Sequence, residues 1–571
     1  MKKKTSKIFS YFLGRTENFR KKWNSIFSSF YLREKLALLV LIFVIFIPFS
    51  ALLFRTYIFY SKEIPKNGGL YVEGMVGQPQ SLNPLFSSSS VIDRSISSLI
   101  YSGLTKMDSS GEIVPDLAEK WEVSEDKKTY KFYLKDTAWH DGEQFFSGDV
   151  FYTYSVTQDP DYLGPLKDAF GDVEIETPED NIVIFRLPEE NNFFIKKTTL
   201  GILPQHIWSQ YETINLPYVE DNLRPTGINL FKFKELVSDE DNNIKRITLE
   251  KNENYFGAKP YFDGVTFMFY EDKNSVYNAL LKKEVNGITE VTPDTISDVK
   301  DIKKFRIIPY FISGYKAIFI NQEKNGHLAK KDIRSALNLA INREKLSNNL
   351  YGLALPSSSI YHKELQQTDY EKDINDAKEK LRKAGFSESE QDKYLRKDDK
   401  KFSINLSIMV DKESEIVAEN IREDWKKIGA ELKIKKVSQA DFEKDIIKPR
   451  NYELVFLGQN YGENKNLYPF WHSSQISSSG LNFSKISSKR IDLLLENAVL
   501  EKNIEKRGQY LSAAAEIIEG DIYAFFLYQP IFNFITEKDV RGVKRSYFLY
   551  PEHRFNGIEN WFKKSKRVFV K

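Results

Sequence analysis

Hydrophobic residues fall along this chain in three patterns. The first is a continuous run, Leu36 to Phe54 (LALLVLIFVIFIPFSALLF), without a single charge. About 19 apolar residues suffice for a helix to cross a bilayer, and a membrane helix tolerates an internal proline such as Pro48. The second is two-residue alternation. Thr129 to Leu134 place Tyr130, Phe132 and Leu134 on one face of a strand. Leu70–Val76, Tyr315–Asn321, Ile404–Val410, Leu432–Val437, Tyr452–Gly458 and Ala524–Tyr528 also read as strands, and Val173–Glu176 with Ile182–Leu187 as a hairpin around Pro178 to Asn181. The third is the helical period, over Ile92–Tyr101, Lys331–Arg343 and Glu415–Ile428, the last stopped by Gly429.

One stretch, Pro115 to Tyr154, holds several signals in order. A short capped helix is expected over Asp116 to Trp121, then a charged turn, then the strand Thr129–Leu134. Trp139-His140-Asp141-Gly142 forms a tight turn in which Gly142 supplies a positive φ. Asp149 is expected to N-cap the next helix. Helices and strands alternate along the remainder, which argues for an α/β architecture with mixed sheets. A chain of 571 residues exceeds one compact core, so at least two domains are expected.

The net charge of +3 conceals an asymmetry. Lysines and arginines crowd the segment before the apolar run (Lys2, Lys3, Lys4, Lys7, Arg15, Arg20, Lys21, Lys22, Arg33, Lys35), opposed by Glu17 and Glu34 alone, whereas acidic residues outnumber basic ones in the remainder. Basic residues before a span and few after it place the N-terminus in the cytoplasm and the large remainder outside. The run is longer than a signal-peptide core and no A-x-A-like site follows, so an uncleaved anchor is expected over residues 36–59. Phe12, Phe19, Trp23, Ile26, Phe27 and Phe30 recur at near-helical spacing among the lysines, which suits either a helix on an anionic inner leaflet or a disordered basic tail.

Composition removes several chemistries. There is no cysteine, hence no disulfide, thiolate nucleophile or thiolate metal site. The six histidines are scattered without a metal-ligand spacing, so no metal and no cofactor is expected. No nucleophile elbow, phosphate-binding loop or dinucleotide fingerprint occurs, so no catalytic residue is assigned. His140 and Asp141 are adjacent, but neighbours in a turn rarely address one atom. Beyond the basic segment, charges of both signs interleave, unlike a nucleic-acid-binding face.

The order P-x-LA-x-x-W-x-x-S-x-D, T-Y-x-F-x-L and WHDG-x-x-F-x-x-x-DV resembles the signature of the family 5 extracellular solute-binding proteins, the peptide- and nickel-type receptors of ABC importers. Further segments are similar to family elements: Pro79-Gln80-Ser81-Leu82-Asn83-Pro84, Ile202-Leu203-Pro204-Gln205-His206, Asn254 to Val265, Lys331 to Arg343, and Asp376 to Phe386. The resemblance covers nearly all of residues 68–571. It implies a two-lobed periplasmic-binding-protein-like fold (class II, cluster C type) behind one transmembrane helix. The expected division is a basic tail 1–35, the helix 36–59, a linker 60–67, a discontinuous lobe I of 68–310 with 531–571, and lobe II of 311–530. It implies an oligopeptide carried to ABC permease subunits by a membrane-anchored monomer. A non-peptide solute (oligosaccharide or nickel chelate), an extracellular hydrolase and a sensory receptor are the alternatives.

The resemblance also implies site residues. The family's corresponding loop at Ser88, Ser89 and Ser90 lines the ligand cleft, and Tyr528 aligns with a cleft tyrosine. In peptide-binding relatives, an aspartate in the loop after Tyr452–Gly458 pairs with the ligand's amino group. Gly462 or Glu463 stands there in this chain, so Glu463 is the candidate for that charge. From the residues themselves, Tyr452–Gly458 is expected to offer a strand edge to an extended peptide. Gln459, Asn460 and Tyr461 would then sit at the cleft mouth, with Tyr315 and Tyr528 closing its floor. Arg334, on the helix 331–343, is expected to make a structural ion pair.

Overall fold

A computed structural model describes residues 31–569 except 168, 192–193, 290, 301, 362–368, 389–392, 439–440, 463–464, 502 and 546–549. The basic segment up to Phe30, and Glu463, therefore lie outside the described residues.

Two compact units emerge, one comprising residues up to Lys66 with Lys564–Lys571, the other Asn67–Lys563. In the first, the apolar run belongs to helix α1 (Leu32–Tyr60), and Pro48 lies within it. It is the one helix among the described residues long and apolar enough to cross a membrane, with Phe43–Tyr60 the qualifying window. The expected linker holds strand β1 (Ser61–Pro65), which pairs antiparallel with a strand from the far end of the chain, Ser565–Phe569. That last strand was expected in lobe I; non-local pairing of this kind leaves no trace in local sequence.

The second unit is built on one long mixed sheet. Strands β2 (Leu70–Val76), β3 (Phe231–Ser238), β4 (Ile244–Lys251) and β5 (Gly264–Tyr270) lie in its first half. β2 and β5 run parallel in register from Leu70↔Gly264 to Val76↔Tyr270. β6 (Phe305–Phe311) and β7 (Gly314–Ile320) follow. Across the second half lie β8 (Ser403–Met409), β9 (Glu431–Val437) and β10 (Leu454–Asn460). One strand, β11 (Ala524–Glu537), serves both halves: Phe525 and Phe526 pair with β7, whereas Ile531 to Glu537 pair with β6. The hydrophobic cores divide at the same place, Tyr310 and Phe534 belonging to one and Ile318 and Tyr528 to another. The chain thus passes between halves at Ile312–Ser313 and again near Pro530, whose carbonyl accepts from Ile312 N–H (3.2 Å).

Four local expectations change. Ala118–Val123 is a strand, not a helix, with Trp121 opposite Phe132. Asp116 is engaged with Lys106 (3.1 Å) rather than capping a helix, and ladder bonds to Thr129–Leu134 override local helix propensity. Asp149 lies inside the helix Ser147–Gln158, its carboxylate accepting from Phe146 N–H (3.1 Å), Gln205 N–H (2.7 Å) and Trp139 Nε1–H (3.2 Å). One carboxylate thus satisfies the helix start and pins the WHDG turn. Among the described residues Arg334 has no ion-pair partner; its guanidinium donates instead to the carbonyls of Leu328, Ala329, Asp521 and Ile522 at 2.7–2.9 Å. Its helix also ends at Leu339, and Asn342 caps a new one at Arg343–Asn349.

Candidate functional site

A cavity of about 880 Å³ opens between the halves. Ser88, Arg94, Lys197 and Tyr255 line it from the first half, joined by the C-terminal segment from Tyr550 to Asn560, while Tyr461, Gly462 and Asn466 line it from the second. This volume lies within the range of sites that enclose a bound ligand.

The first-half wall is held by charge. Ser90 caps the helix Val91–Ile100, accepting from Asp93 N–H (3.2 Å), and Ser87–Ser89 form a single tight turn before it. Arg94, one turn into that helix, binds the carbonyl of Ser88 and forms an ion pair with Glu552 (2.9 Å). Its guanidinium lies 5.6 Å from the Tyr550 ring centre. Beneath, Arg554 and Glu73 form a fully buried pair (3.0 Å), and Arg554 also donates to Ser95 Oγ (3.0 Å) and to the Pro551 carbonyl (2.6 Å). Burial raises the Glu73 carboxyl while the Arg554 guanidinium opposes the rise. Tyr71 donates to the other Glu73 oxygen. Two arginine–glutamate pairs thus fasten the C-terminal wall segment onto β2 and the Val91–Ile100 helix.

The second-half wall is held by neutral groups. Tyr315 and Gln459 face each other across β7 and β10. The Tyr315 hydroxyl donates to Gln459 Oε1 and accepts from Trp471 Nε1–H (2.8 Å), and Gln459 Nε2 donates to the Leu481 carbonyl (2.8 Å). Tyr461 packs on Tyr315 and Tyr361, with ring centres 6.2 and 5.3 Å apart, and burial pushes its hydroxyl up to about 12. Asn460 is exposed and accepts from Gly462 N–H (2.8 Å), which shapes the turn at the cavity lip.

Of the residues singled out in the sequence, Ser88 and Tyr461 line the cavity. Ser90 is a helix cap. Tyr315 and Gln459 are buried supports beneath Tyr461. Tyr528 is 1% exposed and donates to Glu413 (2.6 Å). It packs in the core containing Phe456, whereas Tyr315 packs in the core containing Tyr461, so these two tyrosines do not share one floor. Nor is β10 a free edge throughout. It pairs with β7 along Leu454–Asn460 and with β8 at Leu454 and Val455, so among the described residues the stretch from Phe456 onward has no ladder partner on the β8 side. Gly458 lets Lys316 cross this stretch: a Cβ there would lie 2.9 Å from Lys316 Cδ. Lys316 then reaches Glu413 (3.3 Å). Sequence reading missed Arg94, Glu552, Tyr550 and Tyr255, which only the folded chain brings together.

The WHDG turn offers no catalytic pair. His140 Nδ1 accepts from Gly227 N–H (3.2 Å) and Nε2 donates to the Asn229 carbonyl (3.1 Å), while Asp141 turns to His206 (2.9 Å). Burial pushes the His140 imidazole down to about 4. A Cβ at Gly227 would lie 2.1 Å from the Ile100 carbonyl, so glycine allows this close approach. A second, smaller hollow of about 470 Å³ beside His140 and Asp141 is rimmed by Lys232, Glu250 and Asn252. Among the described residues no group of three or more histidine, cysteine or acidic side chains could hold a metal ion.

Comparison with known proteins agrees with this geometry. Residues 112–478 match the family described as bacterial extracellular solute-binding proteins, family 5 Middle. The oligopeptide-binding protein AppA of Bacillus subtilis is 30% identical over 519 residues, covering 87% of this chain and 92% of that protein. The dipeptide-binding protein of Escherichia coli is 26% identical, covering 84% and 93%. The solved structure of Bacillus subtilis AppA in complex with a nonapeptide superposes with a TM-score of 0.65 at 27% identity, covering 87% of this chain and 99% of that one. The two-lobed architecture, the cavity between the halves and these matches across the chain lead to one conclusion: the chain belongs to the family 5 bacterial extracellular solute-binding proteins.

Proposed function

We propose that this chain is the membrane-anchored, extracytoplasmic substrate-binding protein of an ABC importer, capturing oligopeptides between its halves and passing them to the permease as a monomer. The observation that carries the peptide reading is the stretch of β10 from Phe456 to Asn460. Among the described residues it has no ladder partner on one side, and it leads into Tyr461 and Gly462 at the cavity. An extended peptide can pair with such a stretch through its backbone whatever its side chains. The two crossings near Ile312 and Pro530 are where one half would swing against the other.

Titration calorimetry with a free and an N-acetylated oligopeptide, on the natural protein and on Glu463→Gln, tests the reading. If Glu463 receives the peptide's amino group, the substitution weakens binding of the free peptide by about 2–5 kcal/mol. The acetylated peptide then binds the natural protein poorly and loses little more on substitution. Equal affinities in all four combinations would remove Glu463 from the site, and no heat with any peptide would sink the peptide reading in favour of a non-peptide solute. Protease added to intact cells is expected to degrade the large domain; its protection until cells are permeabilised would overturn the orientation.

A further inference from the structure

The unit that contains the apolar helix also contains the end of the chain. Strand Ser565–Phe569 pairs with β1 from Ser61↔Phe569 to Pro65↔Ser565, directly where the helix stops. Arg567 turns back onto that stop. Its Nη2 donates to the carbonyls of Ile58 (3.1 Å) and Ser61 (3.0 Å), and its Nε to Ser61 Oγ (2.9 Å). A helix end leaves carbonyls without intrahelical partners. At a lipid boundary such groups are costly to leave unmet. A guanidinium there supplies both the donors and the charge that the negative end of the helix dipole favours.

The side chains around this cap are those of a membrane interface. Tyr57 and Phe569 meet edge to face, ring centres 5.5 Å apart. Phe59, Tyr60, Val568 and Phe569 are 79%, 56%, 42% and 65% exposed, and their apolar surface continues that of the helix, whose Phe43–Tyr60 window has nothing buried. Exposed Lys62 and Lys566 flank them. Aromatic rings beside lysines, at the end of an apolar helix, match the headgroup layer, where rings lie amphipathically and long basic chains reach phosphates.

We propose that Ser565–Phe569 is a built-in part of the membrane anchor: a collar that caps the helix through Arg567 and rests in the outer headgroup layer. The binding domain is then joined to the anchor through both ends of its chain, at Lys66 and at Lys564. The proposal rests on the anchor reading above, and the experiment separates the two.

Because the chain lacks cysteine, single introduced cysteines can be labelled uniquely. The full chain, reconstituted in phosphatidylethanolamine–phosphatidylglycerol vesicles, carries an environment-sensitive fluorophore at Phe569→Cys, at Phe46→Cys in the helix, or at Glu240→Cys as a water reference. Nitroxide lipids labelled at the headgroup or deep in the acyl chain serve as quenchers. The Phe569→Cys label is expected to be quenched more by the headgroup nitroxide, the Phe46→Cys label more by the deep one, and the Glu240→Cys label by neither. Quenching at Phe46→Cys with none at Phe569→Cys would overturn the collar and leave the anchor standing; quenching at neither would remove both. Independently, Lys62→Cys with Val568→Cys, opposed on the ladder, should cross-link on mild oxidation. Failure of that cross-link in a protein whose single-cysteine variants both label would overturn the pairing itself.

Discussion

The two walls of the cavity are built on opposite principles. The first-half wall is fastened by ion pairs, Arg94 to Glu552 at the surface of the cavity and Arg554 to Glu73 in the core. The second-half wall rests on neutral hydrogen bonds, Trp471 to Tyr315 to Gln459, with the Tyr461 ring packed above at a tilt. The difference follows from what each must hold. The first wall includes a C-terminal segment arriving from more than 450 residues away, at the far end of the chain from Glu73, and a buried charge accepts few alternative seats for it. The second wall is the end of a central strand, already placed by its ladder with β7, and needs only side-chain registration.

That contrast can be broken most forcefully at Arg554. Replacing it with alanine leaves Glu73 buried without its counter-charge, and is expected to cost about 3–5 kcal/mol of stability in urea denaturation. Arg554→Met with Glu73→Gln should recover much of the loss, since neither group then needs a counter-charge. If the single and double variants are equally unstable, charge is not what holds this wall. An intermediate effect is expected in the other wall. Tyr315→Phe leaves Gln459 Oε1 and Trp471 Nε1–H without their partner and should cost about 1–3 kcal/mol, with no dependence on salt or on pH between 5 and 8. A pH-dependent loss there would erase the distinction between the walls.

The smallest effect near neutrality is a titration confined to the first half. His140 joins the WHDG turn to Gly227 and Asn229, and Asn229 in turn lines the cavity. Its buried imidazole stays neutral down to about 4, against an ordinary value of 6.5, with burial as the main cause and Lys232 assisting against the opposing Asn229 carbonyl and Asp141. The unfolded chain therefore binds this proton more readily. The stability that His140 contributes is fully present above about pH 6.5 and is lost as pH falls towards 4. His140→Gln should flatten that part of the stability–pH curve; an unchanged slope would show that another group governs it.

How far the sequence carried depended on the range of the interactions. Thr129–Leu134 was legible because alternation states which face is buried, and Leu70–Val76 because a short apolar run after the Gly68-Gly69 breaker reads as a strand. Asp116–Trp121 was misread because its local residues suit a helix, while its strand partner lies beyond a turn that helix signals do not register. The motif order sufficed to assign the family and its two-lobed fold, since these features are encoded in runs of neighbouring residues.

The cavity was another matter. By itself, the sequence determined an apolar run long enough to span a bilayer before a large α/β domain of the family's two-lobed fold, and it named Ser88 and Tyr461 only among candidates it could not rank. Only the tertiary structure decided that Tyr315 and Gln459 are supports under Tyr461, that Tyr528 packs in a different core, and that Arg94 meets Glu552. It alone brought the last strand back to the first. The physical reason is one: periodicity reports which face of an element is buried, but not which distant element buries it, and both the cavity walls and the collar are made from such distant pairs.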